Sequence, residues 1–246
     1  MSLIRSFSDH QLVVLQDDEW LERQRIAGRS VVFCLNSARA IIDSRLELNV
    51  STLKAEIILL MRGFNCTQVL VKDHSHRSSV NIYNSSFNKM DDSYKFQDGD
   101  LIILEIACAH SGAVAKSTIS LIKGQPKSSD CIKMLQACKK ALDNSINQIE
   151  NGKKIGCIGS GINHIIKSTS FKIVPNHYSV GLDFENTFSD PIILNKSQSN
   201  YGITIQKGMT FAISPAISLN DGSLNCCFEK TIFVHENKVE IITPWE

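Results

Sequence analysis

Two charged residues stand where the surrounding sequence calls for a core. Leu101-Ile102-Ile103-Leu104 is a continuous apolar run, the pattern of a strand buried on both faces. Glu105 follows it directly, with Ile106 and Ala107 beyond. A carboxylate inside such a strand is costly to bury unless something pairs or ligates it. Ser111-Gly112 marks a turn, and the return segment delivers Lys116 before Ser117-Thr118-Ile119-Ser120-Leu121-Ile122. Antiparallel pairing about that turn brings Lys116 near Glu105 as a buried ion pair. The plainer arrangement is a lysine that snorkels to the surface, with Glu105 at a strand end.

Histidine and cysteine offer further chemistry. His74 and His76 form an H-x-H pair able to chelate a metal, but they lie in a polar stretch that reads as loop, where histidines seldom ligate. His177 follows Pro175 and can simply hydrogen-bond within a turn. The eight cysteines show no CxxC or Cys/His ligand spacing, and several, such as Cys34 and Cys108, lie inside apolar runs. They read as reduced, small core residues of a cytoplasmic protein.

The elements that must position these groups follow from the rest of the chain. Its 246 residues fit one large domain or two small ones, with ample length for a core. With 43% hydrophobic and 21% charged residues and a formal charge of +1, the composition is that of an ordinary globular chain. Near-neutrality argues against binding a nucleic-acid backbone, which needs a basic face. No stretch approaches about 18 uninterrupted apolar residues, so no membrane span is expected. The N-terminal MSLIRSFSDHQ lacks the apolar segment of a signal peptide.

From Asp17 the periodicity is helical, with Asp17 or Asp18 as cap and apolar residues at three- and four-residue steps from Trp20 to Ala38. A second helix is predicted over Ser51–Met61, capped by Ser51 and ended by Gly63. Thr67 to Val71 reads as a strand. Ser128–Glu150 is the clearest amphipathic helix, and Ile155–Ser168 another helical segment.

GDLIILEI followed by GAVAKSTIS resembles the hairpin of the methionine aminopeptidase/creatinase family. In the peptidases of that family an aspartate on each strand binds metal; here those positions hold Glu105 and Lys116. KGMTFAISP resembles the family's G-M-x-F-[ST]-I-E-P strand, with Ser214 in place of the metal-ligating glutamate. CFEKTI resembles Q-[FY]-E-x-T-I and keeps Glu229, while KVEIIT resembles the closing strand. Setting Val180-Gly181 on the family's I-G pair places Tyr178 on the metal-binding histidine and Glu185 on a second one, with His177 one residue out of register. The local frame SSVNIYN puts Ile82 at a substrate-contacting position.

The resemblance covers roughly residues 17–243. It implies the α+β pita-bread fold, a curved antiparallel sheet flanked by helices, over 17–246, with 1–16 as an N-terminal extension. It does not carry the family's chemistry over. A di-metal site needs several anionic or imidazole ligands, whereas Glu105, Lys116, Tyr178, Ser214 and Glu229 include a cation. No metal and no cofactor are therefore expected. Beside a metallo-aminopeptidase, which this donor set disfavours, two readings follow from the resemblance. In the first, the pocket is a metal-independent enzyme acting on a small amino-acid-derived molecule or short peptide. There Glu105, Lys116, Tyr178, Glu185 and Glu229 are catalytic, and Ile82, His177 and Ser214 bind substrate. In the second, the chain is an inactive binding module. Neither reading involves nucleic acid or membrane, and a homodimer fits either.

Overall fold

Helix α1 (Asp18–Ser44) is the element on which the sheets are laid. Asp17 caps it, its carboxylate accepting the Trp20 N–H at 2.9 Å. The buried stripe of α1 runs through Trp20, Gln24, Ala27, Val31, Leu35 and Ile42, a helical period that turns one face to the core. Within that stripe Gln24 is satisfied by its neighbours: its amide donates to Val114 O at 2.8 Å and to Thr210 Oγ1 at 2.9 Å, tying the helix to two strands. At the far end, the Lys123 ammonium donates to Ile42 O at 2.8 Å and Arg45 O at 2.7 Å, satisfying carbonyls the helix leaves open.

The computed structural model describes residues 2–5, 12–69 and 79–245. Helix α2 (Val50–Arg62) starts one residue earlier than expected, and its cap is Asn49, not Ser51: Asn49 Oδ1 accepts the Thr52 N–H at 2.8 Å. Helices α3 (Ser129–Asn147) and α4 (Gly156–Ile166) pack on one another, close to their sequence-derived ranges.

Strand β1 (Ser2–Arg5) pairs with β2 (Leu12–Leu15). Strand β3 (Val80–Asn84) pairs with β4 (Leu101–His110), and β4 with β5 (Ala113–Ile122), in register from Leu101↔Ile122 to His110↔Ala113. Ser111 and Gly112 both take positive φ, 47° and 83°, as a two-residue hairpin turn requires. A short sheet joins β6 (Lys172–Ile173), β10 (Ala216–Ser218) and β11 (Asn225–Cys227). The largest runs in the order β13-β12-β9-β7-β8, built from β7 (Tyr178–Asp183), β8 (Asn186–Leu194), β9 (Thr210–Ile213), β12 (Lys230–Val234) and β13 (Val239–Ile241).

The result is α+β: antiparallel sheets flanked by four helices among the described residues. All eight cysteines are buried and free, so each packs as a small apolar group. No helix of the described residues is long and apolar enough to cross a membrane.

Candidate active site

Two sheets meet at the site. In the β4–β5 hairpin Glu105 faces Thr118 and Ala107 faces Lys116, which makes Glu105 and Lys116 diagonal neighbours on one face. Glu229 comes from the other sheet, immediately before β12, and reaches β5 through an isolated bridge to Thr118. Lys116 Nζ lies 3.2 Å from Glu229 Oε2 and 3.7 Å from Glu105 Oε1. The side chains are 13% (Lys116), 3% (Glu229) and 18% (Glu105) exposed, so this is a buried charge cluster and not a surface pair.

A second cluster lies beside it. His177 Nε2 is 3.0 Å from Ser214 Oγ and 3.5 Å from Cys227 Sγ, and those two atoms are 3.3 Å apart. Ser214 is itself fixed, its N–H donating to Ser179 Oγ at 2.8 Å and its carbonyl accepting from Asn195 Nδ2 at 2.8 Å. The Phe87 ring stacks on the imidazole, with centroids 5.9 Å apart and planes 22° apart. Tyr178 stands edge-on to Phe188 at 5.6 Å. The two clusters, apart from Ser179 and Asn195 behind them, line a cavity of about 390 Å³.

Of the residues singled out in the sequence, Glu105, Lys116, His177, Tyr178, Ser214 and Glu229 converge on this cavity. Ile82 does not. It is fully buried in β3 opposite Leu104, and its neighbour Tyr83 faces the cavity instead. Successive strand residues point to opposite faces, so an alignment one residue out of step chooses the wrong side. Glu185 does not converge either: it sits at positive φ (53°) in the β7–β8 turn, its N–H donating to Gly112 O at the tip of the other hairpin. His74, His76 and the predicted strand's Leu70 and Val71 lie outside the described residues.

Sequence reasoning missed Tyr83, Phe87, Phe188 and Cys227 as cavity residues. Tyr83 lies in β3, inside the polar stretch that the sequence reads as loop, so its facing was set by pairing with β4 and not by a local pattern. Phe87 carried no local signal, since a bulky residue at φ 58° breaks the usual preference for glycine there. Cys227 was hidden by its apolar surroundings.

Burial and charge set the protonation states. Burial and the nearby Lys116 ammonium push the His177 imidazole down to about 4, so it is neutral at pH 7. Burial alone would lower Lys116, but Glu229 and Glu105 outweigh it and hold the ammonium above the ordinary lysine range. The carboxyl of Glu229 is raised above the ordinary carboxylate range, because burial exceeds the attraction of Lys116. Burial likewise pushes the Cys227 thiol well above its usual value. The site thus offers a fixed cation, a neutral imidazole and a desolvated acid. Among the described residues no three His, Cys, Asp or Glu side chains gather as a metal-holding group.

The sequence profile of metallopeptidase family M24 matches residues 26–236. The chain belongs to metallopeptidase family M24. This M24 chain is 22% identical to the methionine aminopeptidase of Mycoplasma capricolum subsp. capricolum, in an alignment covering 96% of this chain and 100% of that protein. It is also 22% identical to the Escherichia coli methionine aminopeptidase, over 94% of each chain. Among solved structures, methionine aminopeptidase from Thermotoga maritima superposes with a TM-score of 0.85 at 19% identity, over 95% of this chain and 100% of that one. Prolidase from Pyrococcus furiosus superposes with a TM-score of 0.78 at 15% identity, over 95% of this chain and 66% of that one. The fold is therefore the pita-bread fold of the family, and these relatives are enzymes by name.

Proposed function

We propose that this M24 chain is a metal-independent enzyme acting on a small amino-acid-derived molecule or a short peptide. The observation that carries the reading is the Lys116 ammonium, held 3.2 Å from Glu229 and 3.7 Å from Glu105. The donor set does not fit two divalent ions. An ammonium where a bridging carboxylate belongs repels a cation and already pairs with both glutamates, while Tyr178 and Ser214 add no further charge. The family's name weighs toward a metallopeptidase, so the metal content of the purified protein is the decisive measurement.

In this reading the neutral His177 accepts or passes a proton through Ser214, which hydrogen-bonds to its Nε2. Lys116 stays charged and stabilises negative charge developing on the ligand, and the Tyr178 hydroxyl donates to it. With Glu185 elsewhere, two carboxylates face one ammonium, and the residual negative charge suits a ligand bearing an ammonium or amidine group. A short-peptide substrate is supported by the names of the relatives, methionine aminopeptidase and prolidase.

The protonation states of His177 and Lys116 favour a second reading, an inactive binding module. An imidazole at about 4 is a weak base, and an ammonium held above its ordinary range does not release its proton at neutral pH. A thermal-shift screen of amino acids, short peptides and guanidino compounds separates the two. The enzyme reading expects a ligand that is turned over with EDTA present and whose effect disappears in Glu229→Gln. Specific capture of one macromolecular partner, with no small ligand and no turnover, establishes the module instead.

A further inference from the structure

Lys116 and Glu229 belong to different sheets, and hydroxyl and indole groups fix their approach. Glu229 and Thr118 bond in both directions: the Glu229 N–H donates to Thr118 O at 2.9 Å, while the Glu229 carbonyl receives the Thr118 N–H at a long 3.4 Å, so the bridge is weak on the carbonyl side alone. The same carbonyl also accepts the Ser117 hydroxyl and, at 3.0 Å, the indole N–H of Trp245. That indole N–H is shared with Ser117 Oγ at 2.6 Å, which makes Ser117 and Trp245 one unit gripping the backbone of Glu229.

The rest of the C-terminal segment reinforces the grip. Ile242 N–H donates to Thr231 O at 2.8 Å and Thr231 N–H donates to Thr243 Oγ1 at 2.8 Å. Thr231 Oγ1 in turn donates to Lys116 O at 2.7 Å and accepts from Lys116 N at 3.0 Å. The ring of Trp245 is 5% exposed and packs against Phe228 with centroids 5.5 Å apart. Lys230 Nζ stands 4.6 Å from its centroid, so the indole is held on its face as well as by its N–H.

We propose that Trp245 is a positioning residue for the site: its indole N–H, acting with Ser117, sets where Glu229 stands against Lys116. The residue lies beyond the last strand and outside the lining of this cavity, so it acts on the site through its neighbours, Ser117 and the Glu229 backbone first among them. The physical argument is one of leverage. Without the indole donor, the Glu229 carbonyl keeps one hydroxyl and one long backbone bond, so the carbonyl side of the residue can slide against β5 even though its N–H still holds Thr118 O. A slide of about 1 Å breaks a charge-assisted contact whose strength depends on close approach. The inference rests on the reading that the Lys116–Glu229 pair is the centre of the site.

The test follows the Lys116 ammonium by 15N NMR in protein labelled at lysine, its correlation identified by its absence in Lys116→Gln. A buried, paired ammonium exchanges slowly enough to be seen. In Trp245→Phe, which keeps the ring and removes the donor, that correlation is expected to be lost. Amide correlations remote from residues 115–118 and 228–231 are expected to stay in place. Ser117→Ala is expected to give the same loss with the indole intact, and it serves as the variant of record if Trp245→Phe does not fold. Retention of the Lys116 correlation at its parental shift in the folded variant overturns the proposal. A parental protein without the correlation instead overturns the pair itself, and with it the reading on which the proposal rests.

Discussion

At the residue scale, Lys116 decides what the pocket can do. Its ammonium pairs with carboxylates on both sides of the site, and removing it takes from buried Glu229 the cation it faces. Lys116→Ala is expected to cost about 3–5 kcal/mol in urea unfolding, and Lys116→Met less, since it fills the space and lets Glu229 take a proton. An alanine variant that unfolds with the parent would falsify the buried pair. His177 gives the pH dependence. Its folded value of about 4 lies below the unfolded 6.5, so between these values the unfolded chain binds a proton that the native chain does not. Stability from this group is complete above pH 6.5 and declines as the pH falls toward 4, by up to about 1.4 kcal/mol per pH unit. Glu229, shifted upward, works in the opposite sense over part of that window. The difference between parent and His177→Gln isolates the histidine: the parent's stability should fall more steeply with acid than the variant's. Parallel curves would rule out the depressed imidazole.

At the element scale, the long helix α1 must be held at both ends and along its length. Lys123, the residue after β5, satisfies two of its terminal carbonyls. Lys123→Met removes both bonds and is expected to lower stability by about 1–3 kcal/mol, read from the shift in the urea midpoint at unchanged slope. Along the helix, Gly28 marks a close approach of α1 to the C-terminal segment. A methyl group there would sit 2.3 Å from Ile242 O. Glycine to alanine inside a helix ordinarily stabilises by about 1 kcal/mol. Here overpacking reverses the sign, and Gly28→Ala is expected to destabilise by about 1–3 kcal/mol. A gain in thermal midpoint would show that the helix can move away without cost.

At the scale of the whole molecule, the site exists because two sheets are joined along a seam of hydroxyls. Ser117 donates to Glu229 O, Ser120 to Cys227 O at 2.7 Å, and Thr231 to Lys116 O at 2.7 Å. Across that seam the two carboxylates meet one ammonium. The protein as purified is therefore expected to carry far less than one equivalent of Mn, Co, Fe or Zn per chain after dialysis without chelator. Elemental analysis checks this, and a stoichiometric, tightly held metal would return the chain to the chemistry in its family's name.

The sequence by itself determined the framework. Apolar runs and caps located α1, α3 and the β4–β5 hairpin, because those signals are local and the physics of period and capping acts within a few residues. The spacing of Glu105, the Ser111-Gly112 turn and Lys116 marked the two as candidate partners, and the hairpin register makes them diagonal neighbours. Motifs in the last quarter marked Ser214 and Glu229. Only the tertiary structure decided the rest. It turned Tyr83 and not Ile82 toward the cavity, and it sent Glu185 to a turn. It also stacked Phe87 on His177 and placed Trp245 behind Glu229. Each of these depends on which face of a strand is covered, or on contacts between residues far apart in the chain, and no local pattern encodes either.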